Sequence, residues 1–546
     1  MMPTDATPSA AISPGPEHTR IIEKINPATG VLTCQYSMTT EPEIIQMVEK
    51  ARRAQTAWAQ TALNVRARLL HAVADRLYEA ADSLAAIISE ETGKPLSDAI
   101  ESDIAGALGL LRYNANVGPR CLKSRRLAPD AMSRLIFRFH WETWHPRGVI
   151  AIISPWNYPV AIPTGSIATA LMAGNAVVFK PSELAPACGL RLAALFQEVL
   201  AQTGFSPDLV QVLCGDGETG QILLQQDIQG IIFTGSSRVG RSIRMLAAER
   251  GLWSSLELGG SDAMLVLEGM NPELATSFAV WGRFSNAGQA CASVKRLFVP
   301  VSIAETIITH LQEKIALLRV ASPIDETAHL GPLISKIQRD ILDAQVQDAL
   351  HRGATLLAGG GPKTGPGWFY EPTLLRDVPP DADLMQKEAF GPVLPVIVYD
   401  DIDEAIAQIN ASFYGLTTSI LGNPRQAQAV ASRFECGSVI INDAGATNFI
   451  AACAPWGGWK ESGHGVSHGE HALKELCRLQ IVSENGMMQI PGFQRPPWHF
   501  SRLRRSVGKR SQVLLALANG FFRQWRFSTL VALIESLRMQ RSKDKL

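Results

Sequence analysis

Val149-Ile150-Ala151-Ile152-Ile153, Ala176-Val177-Val178-Phe179, Leu209-Val210-Gln211-Val212-Leu213 and Gly230-Ile231-Ile232-Phe233 are four short apolar runs in one stretch of the chain. Helix-like segments over 162–173, 186–202 and 218–225 separate them. Strands that are apolar on both faces and spaced by helices of this length read as strand–helix–strand units of a parallel sheet. Open sheets of that kind take ligands at the carboxyl ends of their strands. The alternation continues outward in both directions. Residues 42–92 carry Leu69, Leu70, Val73, Leu77 and Leu84 at helical spacing. A second α/β block runs from about Gly259 to Pro455, with strands at Ala263-Met264-Leu265-Val266-Leu267 and Val393-Leu394-Pro395-Val396-Ile397-Val398. Glycine-rich Thr355 to Tyr370 reads as a loop. The fold class is α/β.

Composition narrows the function. The chain has 546 residues, 46% of them hydrophobic, so it can bury a large core without staples and is not a disordered protein. No run approaches the roughly 20 apolar residues of a membrane-spanning helix. Lys+Arg and Asp+Glu number 51 each, but they are unevenly placed. Residues 487–546 hold twelve basic side chains (Arg495 through Lys545) against Glu535 and Asp544, which leaves 39 basic and 49 acidic groups before them. An acidic body is thus followed by a basic tail. The eight cysteines, Cys34, Cys121, Cys188, Cys214, Cys291, Cys436, Cys453 and Cys477, show no CxxC pair or regular spacing. That argues against a disulfide framework or zinc ribbon and fits a reducing, cytoplasmic setting. Residues 1–20 lack a charged start followed by an apolar core and read as a flexible lead.

Three side chains carry the pattern of a reactive site. Cys291, in Asn286-Ala287-Gly288-Gln289-Ala290-Cys291, is either a small buried hydrophobe or a nucleophile, with Gly288 permitting close backbone approach. Glu257, in Leu256-Glu257-Leu258-Gly259-Gly260, is a salt-bridged strand end or a general base raised by apolar surroundings. Asn157, in Ser154-Pro155-Trp156-Asn157-Tyr158-Pro159, either satisfies a turn or offers its amide to a developing oxyanion. Two further motifs suggest a nucleotide. Lys180-Pro181-Ser182-Glu183 places a cation and a carboxylate where ribose hydroxyls could sit. The strand–turn–helix junction Phe233-Thr234-Gly235-Ser236-Ser237-Arg238-Val239-Gly240 could take a phosphate, although it is not GxGxxG.

Together these motifs resemble the aldehyde dehydrogenase superfamily. SPWNYP, NAVVFKPSE, FTGSSRVG, LELGG, NAGQAC, KEAFGPVLPV and PWGGWKESGHG follow one another in that order, over about residues 20–485. Within the superfamily the chain is similar to bacterial members resembling diapolycopene-dialdehyde dehydrogenase and succinate-semialdehyde dehydrogenase. The resemblance implies a Rossmann-like NAD-binding domain (21–125 and 149–258) and an α/β catalytic domain (259–475). It also implies a small β oligomerisation arm (126–148 and 476–486) that builds a homodimer or homotetramer. It implies that Cys291 attacks the aldehyde, that Asn157 and the Cys291 N–H hold the oxyanion, and that Glu257 activates water to release the acid. Lys180 and Glu183 would meet the adenosine ribose, Ser236 the pyrophosphate, Glu388 the nicotinamide ribose, and Phe390 and Trp156 would flank the cofactor. Glu183 would repel a 2′-phosphate, which favours NAD, though some members also use NADP.

The chain departs from the family pattern at Ser261, where lysine is common, and in PWGGW, where PFGG is usual. Tyr158, Ile162, Gly165, Phe284, Ile450 and Trp456 are expected to border a roomy apolar channel, or simply to pack an interface. The expected substrate is a hydrophobic, long-chain or polyene (carotenoid-like) aldehyde, with a small semialdehyde such as succinate semialdehyde as the alternative. A reading from another class is a non-catalytic, membrane-associated scaffold. Arg283 would meet a substrate carboxylate or lie on a solvated helix face, the second being favoured. His464, His468 and His471 read as surface groups, and no metal site is expected. After Pro491–Pro497, basic and apolar residues interleave at helical spacing over 500–546. That fits amphipathic helices at an anionic membrane surface, peripheral to its inner face, or a helix docked on the body. Nucleic acid is not an expected partner.

Overall fold

The computed structural model describes residues 20–130, 133, 138–445 and 451–486. The N-terminal lead, Ile450 and the basic extension 487–546 lie outside the described residues. A short hairpin, β1 (Ile21–Ile25) and β2 (Leu32–Ser37), precedes the first helices. The 42–92 region forms three helices, Glu41–Trp58, Leu63–Glu79 and Ala81–Thr92. Thr40 opens the first with a capping box, its N–H donating to Glu43 Oε2 at 2.7 Å. The break after Trp58 leaves that buried indole free to donate to the Leu171 carbonyl at 2.9 Å. Leu69, Leu70, Val73, Leu77 and Leu84 all face the core.

The next strands are β3 (Arg125–Arg126), β4 (Arg138–Pro146), β5 (Val149–Ile153), β6 (Ala176–Lys180), β7 (Val210–Val212), β8 (Gly230–Thr234) and β9 (Trp253–Glu257). Strands β5 to β9 pair in parallel in the order β9-β8-β5-β6-β7. The chain steps outward from β5 to β7, then returns to β8 beside β5. That reversal makes a topological switch point, and the crevice outside the carboxyl ends of β5 and β8 is where such sheets bind ligands.

The second block contributes β10 (Ala263–Val266), β11 (Arg296–Pro300), β12 (Thr355–Ala358), β13 (Thr373–Arg376), β14 (Val393–Tyr399), β15 (Tyr414–Gly415), β16 (Thr417–Leu421) and β17 (Ser438–Ile441). Seven of these form one sheet in the order β12-β13-β14-β11-β10-β16-β17, parallel except for the β12–β13 pair. The expected loop over 355–370 therefore begins with a strand. Thr355–Ala358 pairs along β13, and the glycines that follow obscured it. Burial of Met264, Val266, Leu297, Val299, Leu394 and Val396 on the faces of this sheet supplies a separate apolar core.

Late in the chain, β18 (Trp459–Lys460) pairs with β15, and β19 (Gly463–His464) pairs antiparallel with β9, setting Gly463 opposite Glu257. This pairing carries a segment some 200 residues downstream to the end of the first sheet. Strand β20 (Cys477–Asn485) joins β4 and β3 in a sheet of their own. The described residues within 123–145 and 479–486 make a compact unit. Among the described residues no helix is long and apolar enough to cross a membrane.

Candidate active site

Asn157 follows β5 at the switch point and is buried. Its Nδ2 donates to the Gln289 carbonyl at 3.1 Å, and an amide has a second hydrogen for another acceptor. Its own carbonyl accepts from Lys94 Nζ at 2.9 Å and from Asn286 Nδ2 at 3.2 Å. Lys94 in turn pairs with Asp103 at 2.5 Å, both side chains fully enclosed. Asp103 Oδ1 accepts from the N–H groups of Val160 and Ala161 at 3.1 and 2.9 Å, at the start of the helix Ala161–Met172. The ammonium also lies 4.1 Å from the Tyr158 ring centroid. One buried ion pair thus fixes both the turn that carries Asn157 and the helix behind it.

The helix Pro272–Phe284 delivers the chain to Cys291 through a strained loop. Asn286, Ala287 and Gly288 have φ of 52°, 51° and 72°. Left-handed backbone at a non-glycine residue costs on the order of 1–2 kcal/mol, so the surroundings must impose it. Asn286 N–H donates to Asp98 Oδ2 at 2.9 Å, Gln289 N–H to the Asn286 carbonyl at 3.0 Å, and Gln289 Oε1 accepts from Ile334 N–H at 2.9 Å. Gly288 is required because a Cβ there would collide with the Gly391 carbonyl. Cys291 itself is half-buried, and desolvation pushes its thiol up to about 12, with Lys295 opposing the rise.

Arg283 is neither on a solvated face nor open to a substrate. It is fully buried, donating to Ser293 Oγ at 2.9 Å, to the Ala389 carbonyl at 3.0 Å and to the Gly391 carbonyl. The helix turns this face inward against the 388–391 segment, so a position that reads as solvated becomes an internal tie.

Glu257 ends β9 and is only 8% exposed. Burial raises its carboxyl well above the usual range, while hydrogen bonding from Ser467 and the Trp456 indole works the other way. Ser467 Oγ donates to Oε1 at 3.2 Å, and Oε2 is buried with no donor among the described residues. The β9–β19 pairing and a bridge between Trp456 and Ser467 hold these groups in place. Glu257 and Cys291 line one cavity. Ile162, Gly165 and Trp456 are in its wall, and so is His468, which is buried and not a surface group. Desolvation lowers the His468 imidazole to about 4, so it is neutral. Phe284 lies in the second block's core, facing a separate cleft with Trp281 and Ser285. Tyr158 is not in the cavity wall but beneath Lys94, and Ile450 lies outside the described residues.

The nucleotide motifs gather at neighbouring strand ends. Lys180 closes β6, buried, with its Nζ 3.6 Å from Glu183 and donating to the Pro181 carbonyl at 3.0 Å. Desolvation lowers its ammonium, and Glu183 partly restores it. Ser236 caps the helix Ser237–Arg250, its Oγ accepting from Val239 N–H at 3.4 Å. Glu388 accepts from Gly260 N–H at 3.1 Å and lies 3.7 Å from Lys295 Nζ. A side chain at Gly259 would strike that carboxylate. Trp156 and Phe390 meet edge to face, centroids 5.5 Å apart. Among the described residues no group of three His, Cys, Asp or Glu side chains is arranged to hold a metal ion.

Lys94, Asp103, Lys295 and Ser467 escaped sequence reasoning, because each acts through a partner or carbonyl that only the fold brings near. Ser467 had one usable signal, its place just after the PWGGW motif.

Comparison with known proteins agrees with this arrangement. The model for the aldehyde dehydrogenase family matches residues 15–482. The chain is 34% identical over 493 residues to a succinate-semialdehyde dehydrogenase [NADP(+)] of Deinococcus radiodurans, covering 90% of this chain and 98% of that one. It is 33% identical over 477 residues to a betaine aldehyde dehydrogenase of Rhizobium leguminosarum bv. trifolii, covering 86% and 95%. The NAD+ complex of an aldehyde dehydrogenase from Bacillus cereus superposes with a TM-score of 0.80 at 30% identity, over 85% of this chain and 93% of that one.

Proposed function

The chain belongs to the aldehyde dehydrogenase family and is an NAD(P)-dependent aldehyde dehydrogenase; on that premise we propose that Cys291, Glu257 and Asn157 carry the reaction and that the substrate is a hydrophobic aldehyde. Cys291 loses its proton to solvent and its sulfur attacks the carbonyl carbon, giving a thiohemiacetal oxyanion. Glu257, whose own proton affinity is raised by burial, lies in the same cavity and is kept for the hydrolytic step. The second amide hydrogen of Asn157 and the Cys291 N–H stabilise the oxyanion, and Lys94 keeps the asparagine turn from relaxing. NAD or NADP, held by Lys180, Glu183, Ser236 and Glu388, would supply the acceptor for the hydride lost from the aldehyde carbon. The acyl group then remains on Cys291 as a thioester. Glu257 takes a proton from water as the water attacks that thioester, the sulfur departs, and the carboxylic acid is released.

The residues present fit the cofactor. Lys180 and Glu183 offer a cation and a carboxylate to a vicinal diol, Glu388 offers a second diol acceptor, and Ser236 sits at the N-terminus of a 14-residue helix suited to a pyrophosphate. Glu183 favours NAD, since its charge opposes a 2′-phosphate. In this reading 21–125 and 149–258 form the cofactor domain, 259–475 the catalytic domain, and 126–148 with 476–486 an arm that joins subunits into a dimer or tetramer.

One observation carries the substrate class: among the described residues lining the cavity with Cys291 and Glu257, none is lysine or arginine. A dicarboxylic semialdehyde needs a cation for its far end, and a long apolar or polyene chain does not. Small-semialdehyde oxidation, the activity named for the Deinococcus relative, is the second reading. The basic extension is proposed to bring the enzyme to an anionic membrane surface, where such aldehydes partition.

An aldehyde panel tests the assignment by NADH formation. The long apolar substrates should lead in kcat/KM, and preference for succinate semialdehyde would overturn the substrate class. Cys291→Ser should abolish turnover. Glu257→Gln should keep an initial burst of NADH while slowing the steady rate, and loss of both phases would refute its hydrolytic role.

A further inference from the structure

We propose that Lys295 is a positioning residue for this reaction: one buried cation that holds the backbone around Cys291 against the Glu388 carboxylate and supplies the positive charge facing the thiolate. The inference rests on the roles given above to Cys291 and Glu388.

The side chain of Lys295 has no solvent exposure. Its Nζ donates to the carbonyls of Ala290 at 3.0 Å and Ser293 at 3.4 Å, and to that of Cys291. The same nitrogen lies 3.7 Å from Glu388 Oε1. An ammonium has three donors and no acceptor, so these partners use its full capacity. The root of the side chain is equally fixed. Lys295 N–H donates to the Asp262 carbonyl at 2.9 Å, at the entry to β11 in the middle of the second sheet. The ammonium is therefore held at one point between two loops, the one bearing the nucleophile and the one bearing Glu388. Arg283 joins the same two segments from the other side, through Ser293 Oγ and the Ala389 and Gly391 carbonyls.

Filling this space needs no charge, and a buried ammonium is costly unless something repays it. The charges around Cys291 supply the reason. Burial is the largest influence holding the thiol protonated; of the charges that act on it, Lys295 favours the thiolate, and the carboxylates of Glu388, Asp262 and Glu257 oppose it. Asp262 is occupied by Thr417, accepting from its N–H at 3.1 Å and its hydroxyl at 2.6 Å, and it remains beside the site. Without Lys295 the sulfur would have to ionise among acids alone. With it, the cation offsets their field and also draws Glu388 into line. A thiol ionises more readily beside a cation. Removal of the cation moves the thiolate transition to higher pH and leaves less thiolate at neutral pH.

The test follows alkylation of the Cys291 peptide by iodoacetamide against pH, read by mass spectrometry so that the other seven cysteines do not interfere. Lys295→Met should move the profile alkaline by about one pH unit or more, a tenfold loss of rate at neutral pH, and should raise KM for NAD. Lys295→Arg, which keeps the charge, should stay close to the parent profile. Should the methionine variant not fold, Lys295→Gln makes the same comparison with a donor retained. A purely structural role lowers the melting temperature but leaves the profile of the folded fraction in place. A folded, uncharged variant with the parent profile, or an arginine variant displaced as far as the methionine one, overturns the proposal. Cys291→Ala separates the premises: if turnover survives it, the nucleophile assignment fails, whatever Lys295 does.

Discussion

Replacing Ser467 by alanine isolates one interaction of Glu257, the carboxylate proposed as the hydrolytic base. The hydroxyl donates to Glu257 Oε1 at 3.2 Å, and this bond favours the ionised carboxyl against the desolvation that raises it. A hydrogen bond to a charged group is worth about 1.5–3 kcal/mol. This one belongs at the low end, because it is longer than the usual O–H···O distance of about 2.7–2.8 Å. Its single hydrogen also has the Trp456 carbonyl as an alternative acceptor at 3.4 Å. A loss of roughly 1.4 kcal/mol corresponds to one pH unit. The base works deprotonated, so hydrolysis rises with pH through its transition, and removing a bond that favours the charged form carries that rising limb to higher pH. Ser467→Ala should therefore displace the limb of the steady-state rate by about one unit to the alkaline side. At a fixed pH below the limb the rate should fall about tenfold, while the pre-steady-state burst of NADH keeps its amplitude. Ser467→Thr, which retains the hydroxyl, should restore most of the parent profile. The measurement is stopped-flow NADH absorbance across a pH series. A limb that stays put, moves toward acid, or shifts together with a lost burst refutes the reasoning.

Three other perturbations follow from the same geometry. Lys94→Met leaves Asp103 charged and buried, which costs about 3–5 kcal/mol; the two backbone N–H groups still on Asp103 put the expected loss in urea-induced unfolding near the low end, with a matching fall in kcat as the Asn157 turn loosens. A loss below about 1 kcal/mol would mean that water replaces the pair. Gly165→Phe should fill the cavity and lower kcat/KM for long-chain aldehydes by about tenfold or more, or 1.4 kcal/mol, relative to short ones, and an equal effect on both would show that the chain runs elsewhere. Removing residues 487–546 should release the enzyme from anionic liposomes in a flotation assay without changing kcat on a water-soluble aldehyde, and unchanged partitioning would eliminate the membrane role.

The sequence was most informative where structure is local. Runs such as Val149 to Ile153 and the helix over 186–202 are decided by composition and period, and the structure places them at Val149–Ile153 and Pro186–Gln202. Strand ends and turns single out Glu257, Asn157, Lys180 and Ser236 as candidates, while their roles and that of Cys291 rest on the ordered motifs that resemble the family. The groups that prepare them were not singled out. Ser467 reaches Glu257 across 210 residues, and Lys94 meets the Asn157 carbonyl across 63. Arg283 was misread for a related reason. On an amphipathic helix a charged side chain is by default solvated, and only the packing of a later loop turned this one inward. The cost of burying a charge cannot be seen until its partner is known.

That cost also explains where the site stands. Asn157, Ser236 and Glu257 come from the carboxyl ends of the first sheet's strands, where the switch point opens a crevice. Asp262, Lys295 and Glu388 come from the segments that enter the second sheet. Neither sheet alone could keep such groups buried. Glu257, Asp262 and Glu388 are all pushed upward by desolvation, and Arg283 is pulled down to about 9 by the same effect. Each would gain by reaching water. They are held by backbone donors and acceptors on strands and helices whose own stability comes from apolar packing some distance away, as at Met264, Leu297 and Val396. The apolar cores therefore sustain an arrangement of buried charges that is locally unfavourable.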